Sequence, residues 1–353
     1  MRVAFITVGD TKRRTGGYLY HAEVFARLRE KGVEVEEVVP CGAAPEEQER
    51  TVDLLGELMQ PSDFDLIVVD ALARIVCAPH LERWRERRPV VAMVHELPSV
   101  ADPGNAERES VFEEPLLRSD LLICVSEHGR SILQKRGVPA SRIRVVSPGF
   151  DRLSRPGAGP SVRDGGPLRT LCVAQWIPRK GILDLIRAWT AHKRLGSALI
   201  LIGETTADPA YTSSVHEAIA AAPGSSIIVR GCVDDTALAR AYAGADLFVL
   251  PSRYEGYGMV FAEALACGLP IVACDVGPVP ELVGEEAALL VPPGDDAALS
   301  EALDRLLSAP PLRAQMAEAA RKRAGSLPNW DDTAEGFFGV LHEAVGGAGR
   351  PGT

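Results

Sequence analysis

Two carboxylates at a fixed spacing carry the most informative chemistry in this chain. They are Glu255 and Glu263, with seven residues between them, in the run Pro251-Ser252-Arg253-Tyr254-Glu255-Gly256-Tyr257-Gly258-Met259-Val260-Phe261-Ala262-Glu263-Ala264-Leu265-Ala266-Cys267-Gly268-Leu269-Pro270. A strand over Asp246–Leu250 is predicted to feed the loop, a helix to open near Met259 and stop at Gly268, and Ile271-Val272-Ala273 to re-enter a sheet. Gly256 and Gly258 let the backbone approach a ligand closely, and the helix start directs unpaired N–H groups and partial positive charge outward, which suits a phosphate. Glu255 in the loop and Glu263 in an apolar helix repel phosphate but accept from hydroxyls. Flanking an anion site, they imply a ligand with both groups, as a nucleotide sugar has.

This stretch, with Ser-Arg-Tyr-Glu-Gly-Tyr-Gly before the helix and Ala-Leu-Ala-Cys-Gly-Leu-Pro-Ile-Val-Ala after it, resembles the signature of retaining glycosyltransferases of family 4 (glycosyl transferases group 1), which have the GT-B fold. In that family the first glutamate contacts the donor sugar and the second the nucleotide ribose. The resemblance implies a catalytic role for Glu255 and donor binding by Glu263, with Gly256, Tyr257, Gly258 and Met259 around the same ligand. A further motif, Gln175-Trp176-Ile177-Pro178-Arg179-Lys180-Gly181, lies between the strand Leu171–Ala174 and the helix Ile182–Thr190. Lys180 at this strand-to-helix turn is placed to neutralise a leaving diphosphate, the use family 4 makes of a lysine here. Many members have an arginine where this chain has Gln175, and Arg179 is the candidate replacement. The backbone at Gly231 to Val233 borders the base in the family, which leaves UDP- and GDP-sugars both open as donors.

The first half reads as a doubly wound α/β domain. Strands are predicted at Val3–Val8, Val33–Val39, Leu66–Val69, Val90–Val94, Leu121–Val125 and Ile143–Val146, alternating with helices such as Tyr20–Lys31 and Gln48–Met59. Parallel sheets bind ligands at the C-terminal ends of their strands. The loop Gly9-Asp10-Thr11-Lys12-Arg13-Arg14-Thr15-Gly16-Gly17 after the first strand ends in paired glycines before the helix containing His21. It resembles the glycine loop that family members close over the donor diphosphate, which makes Gly16 and Gly17 donor-binding candidates. Lys12, Arg13 and Arg14 either meet an acceptor or keep the loop soluble. His95, after Val90–Val94, resembles the family's active-site histidine beside the donor sugar and is the third catalytic candidate, with Lys180 and Glu255; a histidine that only braces the loop is the alternative. Pro98 to Arg108 is predicted as a long polar loop with acceptor contacts. Ser126 fits a helix N-cap as well as a ligand contact.

Two further runs carry weaker chemistry. Asp63-Phe64-Asp65 matches the DxD of metal-dependent glycosyltransferases but precedes a strand, the end opposite a site, so no metal ligand is assigned. Arg83-Trp84-Arg85-Glu86-Arg87-Arg88 suits anionic headgroups or a solvated helix face, and membrane contact is not expected from it.

These groups must be positioned by 353 residues, enough for two domains, with 46% hydrophobic and 24% charged residues, an ordinary soluble composition. A net charge of −10 argues against nucleic acid as a partner. No apolar run reaches the roughly 20 residues of a membrane span, and the strand-like N-terminus does not fit a signal peptide, so a cytoplasmic protein is expected. The seven cysteines are scattered singly and read as reduced core residues. Pro148, Gly149, Pro156, Gly157, Gly159, Pro160, Gly165, Gly166 and Pro167 mark a linker. Further strands are predicted at Leu199–Glu204 and Ile227–Val233, with Asp234 and Asp235 capping a helix over Thr236–Tyr242. Helices follow at Asp296–Leu307 and Pro311–Ala324, and a last one carries Trp330, Phe337, Phe338 and Leu341.

The expected architecture is α/β of GT-B type: two Rossmann-like doubly wound domains facing each other across a cleft. The domains are 1–148 on the acceptor side and 168–327 for the nucleotide sugar, joined by the linker 149–167, with a helix at 328–346 crossing back to the first and a loose tail. The expected function is transfer of a hexosyl unit from a UDP- or GDP-sugar, with retention, to a hydroxyl of a soluble small molecule, without cofactor or metal. A lipid or glycan acceptor at a membrane surface, or a nucleotide-sugar-binding protein with weak turnover, are the alternatives. Retention here implies the family's same-face mechanism, since no carboxylate is placed as a nucleophile. A nicotinamide oxidoreductase is excluded because neither Gly9 nor Gly203 begins a GxGxxG turn. No feature sets an oligomeric state.

Overall fold

The fold is taken from a computed structural model that describes residues 1–153, 166–192, 194, 196–222 and 224–347. Most of the interval expected as a linker, residues 154–165, and residues 348–353 of the expected loose tail lie outside the described residues. The chain divides into two compact units, Met1–Gly149 with Pro328–Thr353, and Phe150–Leu327.

The first unit is built on strands β1 (Arg2–Ile6), β2 (Glu34–Val38), β3 (Leu66–Asp70), β4 (Val90–Val94), β5 (Leu121–Cys124) and β6 (Ile143–Val145), in the order β2-β1-β3-β4-β5-β6 and paired in parallel. Every residue of β3 and β4 is buried, as expected for parallel strands covered on both faces, whereas Glu34-Val35-Glu36-Glu37-Val38 occupies an edge. The helix Trp330–Gly347 packs on the helix Gly16–Glu30, with Trp330 and Phe337 against Tyr20.

The second unit repeats the plan. Strands β7 (Leu168–Val173), β8 (Ser197–Ile202), β9 (Ile227–Gly231), β10 (Leu247–Leu250), β11 (Ile271–Cys274) and β12 (Ala288–Val291) form a parallel sheet in the order β12-β11-β10-β7-β8-β9. Trp176, Trp189, Tyr242, Phe248 and Phe261 are fully buried around it. In each sheet the chain winds outward from its first strand and then resumes on that strand's other side. This leaves a switch point between β1 and β3, and another between β7 and β10, and loops leaving the C-terminal ends of such strands diverge to leave room for a ligand.

Two expected elements differ. Gln48–Met59 is two helices, Pro45–Arg50 and Val52–Leu58, because the Thr51 hydroxyl donates to the carbonyls of Glu47 and Gln48 and interrupts the ladder. Pro98–Arg108 is not a polar loop. It holds a short helix at Pro98–Ala101, a 3-10 turn at Pro103–Asn105 and the start of the helix Ala106–Leu117. Its polar groups act locally: Asp102 accepts from Gly104 N–H, and buried Glu113 accepts from the N–H (2.8 Å) and hydroxyl (2.6 Å) of Ser99.

Candidate functional site

At the switch point of the second sheet the loops after β7 and β10 are joined. Lys180, in the 3-10 turn Pro178–Lys180, donates to Glu255 Oε1 across 2.7 Å, and the Ser252 hydroxyl donates to the same oxygen at 2.6 Å. Arg253 N–H donates to the Arg179 carbonyl at 2.8 Å, and the Arg253 guanidinium grips buried Asp184 through two contacts of 3.0 Å. Gly181, at φ +67°, lets the turn lie against Pro251, where a side chain would overlap the Pro251 carbonyl. Burial alone would raise the Glu255 carboxyl, but the charges of Lys180 and Arg179 and the hydrogen bonds from Lys180 and Ser252 outweigh it and hold the group below its ordinary range. Glu255 is therefore an ionised acceptor beside a fixed cation.

The helix Met259–Ala266 starts immediately beyond, with Gly258 in the left-handed region at φ +95° and, among the described residues, no side-chain cap at its N-terminus. One turn in, buried Glu263 accepts from Arg152 Nη2 and from the Tyr242 hydroxyl, each at 2.9 Å. Arg152 also donates to Asp235 at 2.6 Å. Burial raises the Glu263 carboxyl, and Arg152 and Tyr242 offset only part of the rise.

In the first unit, His95 follows β4 and is half-buried. Its Nε2 lies 2.8 Å from Nε2 of buried His21, and His21 Nδ1 lies 3.9 Å from Asp70 Oδ2 at the end of β3. The ligating atoms of the three side chains all lie within 4.8 Å of one another. Burial pushes His95 down to about 4. Burial, then the neighbouring His95, holds His21 well below its ordinary value. Burial lifts Asp70 to about 6, against the opposing pull of Leu72 N–H, the Thr7 hydroxyl and Arg74.

Comparison with known proteins places this geometry. The family described as Glycosyltransferase Family 4 matches residues 16–152, and that described as Glycosyl transferases group 1 matches residues 159–323. The chain belongs to glycosyltransferase family 4. It is 30% identical over 288 residues to D-inositol 3-phosphate glycosyltransferase of Acidothermus cellulolyticus, covering 75% of this chain and 63% of that protein. It is 32% identical over 232 residues to MMP alpha-(1->4)-mannosyltransferase of Mycolicibacterium hassiacum, covering 64% and 54%. The chain thus spans less than two thirds of the length of these relatives. Sucrose-phosphate synthase from Thermosynechococcus elongatus superimposes with a TM-score of 0.84 at 24% identity, over 98% of this chain and 100% of that one. Anabaena HepE in complex with UDP and glucose does so at 0.79 and 20%, over 97% and 99%. The likeness to these structures is one of fold, and the two parallel sheets are those of GT-B glycosyltransferases.

In this family-4 chain Lys180, Arg179, Glu255, Gly256, Tyr257, Gly258 and Met259 share one loop pair, with Glu263 one helical turn further on. Gly231, at φ +63°, ends β9 and half-buried Val233 follows it, two strands from β7 at the sheet edge. His95, Gly16 and Gly17 belong to the first unit, and a Cβ on Gly17 would sit 3.5 Å from His95 Cδ2. Gln175 Nε2 donates to Glu204 at 2.8 Å. Ser126 caps its helix by accepting from Gly129 N–H, and Asp234 does the same for Ala237 N–H. Asp65 accepts from the Arg2 N–H at 2.7 Å, a strand-edge role. In the basic run Trp84 is buried and stacked on His80, while Arg88 Nε donates to the Phe64 carbonyl. Among the described residues no helix is long and apolar enough to cross a membrane.

Sequence reasoning missed Arg152, Tyr242 and Ser252 as partners of the two glutamates in the second unit, and His21 and Asp70 as neighbours of His95 in the first. Asp70 had a signal, a carboxylate ending the apolar run Leu66-Ile67-Val68-Val69 at the C-terminal end of a strand beside the switch point. Arg152 had none, since 111 positions separate it from Glu263.

Proposed function

We propose that this chain transfers a hexosyl unit from a UDP- or GDP-sugar to an acceptor hydroxyl with retention at the anomeric carbon. The observation that carries the reading is the Lys180–Glu255 pair at the switch point of the second sheet, beside the uncapped start of the helix Met259–Ala266. Lys180 and the helix N–H groups suit a diphosphate whose charge grows as the sugar leaves, and ionised Glu255 suits the sugar hydroxyls. Glu263, whose oxygens each have a lone pair left after Arg152 and Tyr242 have donated, suits the ribose. Binding of donor would draw Lys180 from Glu255 to phosphate, while Ser252 stays on the carboxylate. These groups supply the charge stabilisation without a resident metal. The acceptor in this reading is a soluble small molecule. The name of the relative that glycosylates D-inositol 3-phosphate supports that class.

One observation favours a second reading, a nucleotide-sugar-binding protein with weak turnover: the position that holds an arginine in many family members is Gln175, already bonded to Glu204. UDP- and GDP-hexoses offered to the purified chain, alone and with polyols and their phosphates, separate the two. Release of nucleoside diphosphate with a product of retained anomeric configuration is expected. Donor binding without release across the panel would favour the second reading, and an inverted product would overturn retention.

A further inference from the structure

Three elements of the first unit bring Asp70, His21 and His95 together at the switch point between β1 and β3. We infer that His21, oriented by Asp70, is a positioning residue that fixes His95 in the tautomer protonated at Nε2, leaving Nδ1 bare to accept a hydrogen bond from a substrate hydroxyl. The inference rests on the reading of His95 as a residue of the transfer site.

The argument starts from the 2.8 Å between the two Nε2 atoms. One of them must donate and the other accept, so each ring dictates where the other carries its proton. If His21 were protonated at Nε2, the Nδ1 lone pair would face the Asp70 carboxylate 3.9 Å away. The opposite arrangement puts the Nδ1 proton toward that negative charge and leaves Nε2 to accept from His95. Asp70 cannot turn away: it is fully buried, its Oδ2 accepts from the Thr7 hydroxyl at 2.7 Å, and its Oδ1 accepts from Leu72 N–H at 3.0 Å. With the proton on Nε2, His95 Nδ1 is bare, and none of the described residues hydrogen-bonds it.

The surroundings hold both rings without competing for these nitrogens. Phe25 stacks parallel to His21 at 5.7 Å, Phe5 meets it edge-on at 4.5 Å, and Tyr20 meets His95 edge-on at 5.2 Å. The Tyr20 hydroxyl is committed to the Val146 carbonyl, and that of Tyr18 to the Val8 carbonyl. A Cβ on Gly17 would lie in van der Waals contact with the His95 ring.

The direct test is nitrogen-15 NMR of the histidine side chains in the full chain, with resonances assigned through single His variants. The expected result is His21 protonated at Nδ1 and His95 at Nε2. A proton on His95 Nδ1 would overturn the inference whatever the activity. The functional arm compares His21→Gln, whose side-chain carbonyl can still accept from His95, with His21→Phe, which cannot. Both are checked for native unfolding temperature. His21→Phe and Asp70→Asn are expected to lower kcat about 10- to 100-fold at saturating donor with little change in donor KM, within what a proton-handling residue contributes, and His21→Gln to recover most of it. Equal loss in the two His21 variants would reduce His21 to packing and overturn the positioning role. Expected tautomers with full turnover in His95→Ala would instead refute the placing of His95 in the transfer site. Tight Zn²⁺ binding to the wild type, lost in both His21→Phe and His95→Ala, would replace the relay by a metal site.

Discussion

Lys180→Met removes the cation bonded to Glu255 while keeping the side chain's length, and its consequences are set by how dry the pair is. The two side chains are 15% and 5% exposed, so their 2.7 Å contact is little screened by water. Removing one member of a buried pair leaves the other charge uncompensated and costs about 3–5 kcal/mol. Ser252 still donates to Glu255 and Arg179 lies near, so the lower part of that range applies. In a unit of this size each kcal/mol moves the melting temperature by about 2–4 °C, so a loss of roughly 6–15 °C is expected. The pH dependence carries more information than the loss itself. In the wild type Glu255 is held below its ordinary value of 4.5, so its contribution is present above that pH and disappears as pH falls through the folded value. In Lys180→Met burial is less opposed and the carboxyl moves up, so stability declines as pH rises above about 4.5. Calorimetry of wild type, Lys180→Met, Glu255→Gln and the double variant between about pH 4 and 7 measures both. The double variant should recover most of the loss and show no reversed slope. Parallel pH curves for wild type and Lys180→Met, or strictly additive losses, would refute the argument that the pair is one electrostatic unit.

His95 lies well below its ordinary 6.5, at about 4, so the folded chain releases its proton and stability is gained as pH rises through that window. The stability difference between wild type and His95→Asn should therefore grow by roughly 2–3 kcal/mol from about pH 4 to 6.5, and a pH-independent difference in urea unfolding would count against the burial argument. On the proposed reading Lys180 and the helix N-terminus meet the diphosphate, so transfer should persist in EDTA; complete loss restored by Mg²⁺ or Mn²⁺ would sink that expectation. Gln175→Arg alone should change nucleoside diphosphate affinity little, since Glu204 would neutralise the new cation. Combined with Glu204→Gln it should tighten binding about tenfold, the scale of one charged hydrogen bond, as titration calorimetry would record.

Much of the candidate site in the second unit was legible because its parts are local in sequence. The strand, the glycine loop, the helix start and both glutamates fall within Asp246–Gly268, and the Lys180 turn is a second short motif of the same kind. The neighbours that set the chemistry were not legible. Ser252 lies in the motif, but nothing in its type says that it faces Glu255, and the Arg152 contact to Glu263 joins distant segments. The His21–His95 contact follows from strand order, which places the end of β4 one strand beyond β3 and brings helix and loop together. Pro98–Arg108 misled because polar residues that serve as caps and as partners of buried Glu113 have the composition of a loop.

The central claim is that Glu255 and Glu263 hold different parts of one nucleotide-sugar donor, and calorimetric titration with UDP, GDP and the corresponding hexose donors tests it most directly. Glu263→Gln keeps the side chain's shape beside Arg152 and Tyr242 but loses the charged acceptor for the ribose, so affinity for the free nucleoside diphosphate should fall by about 1.5–3 kcal/mol. Glu255→Gln should leave that affinity nearly unchanged, because the free nucleotide carries no sugar, and should instead lower kcat at saturating donor. Equal loss of nucleotide affinity in both variants, with their folded fractions verified, or no nucleoside diphosphate binding by the wild type, would contradict the account.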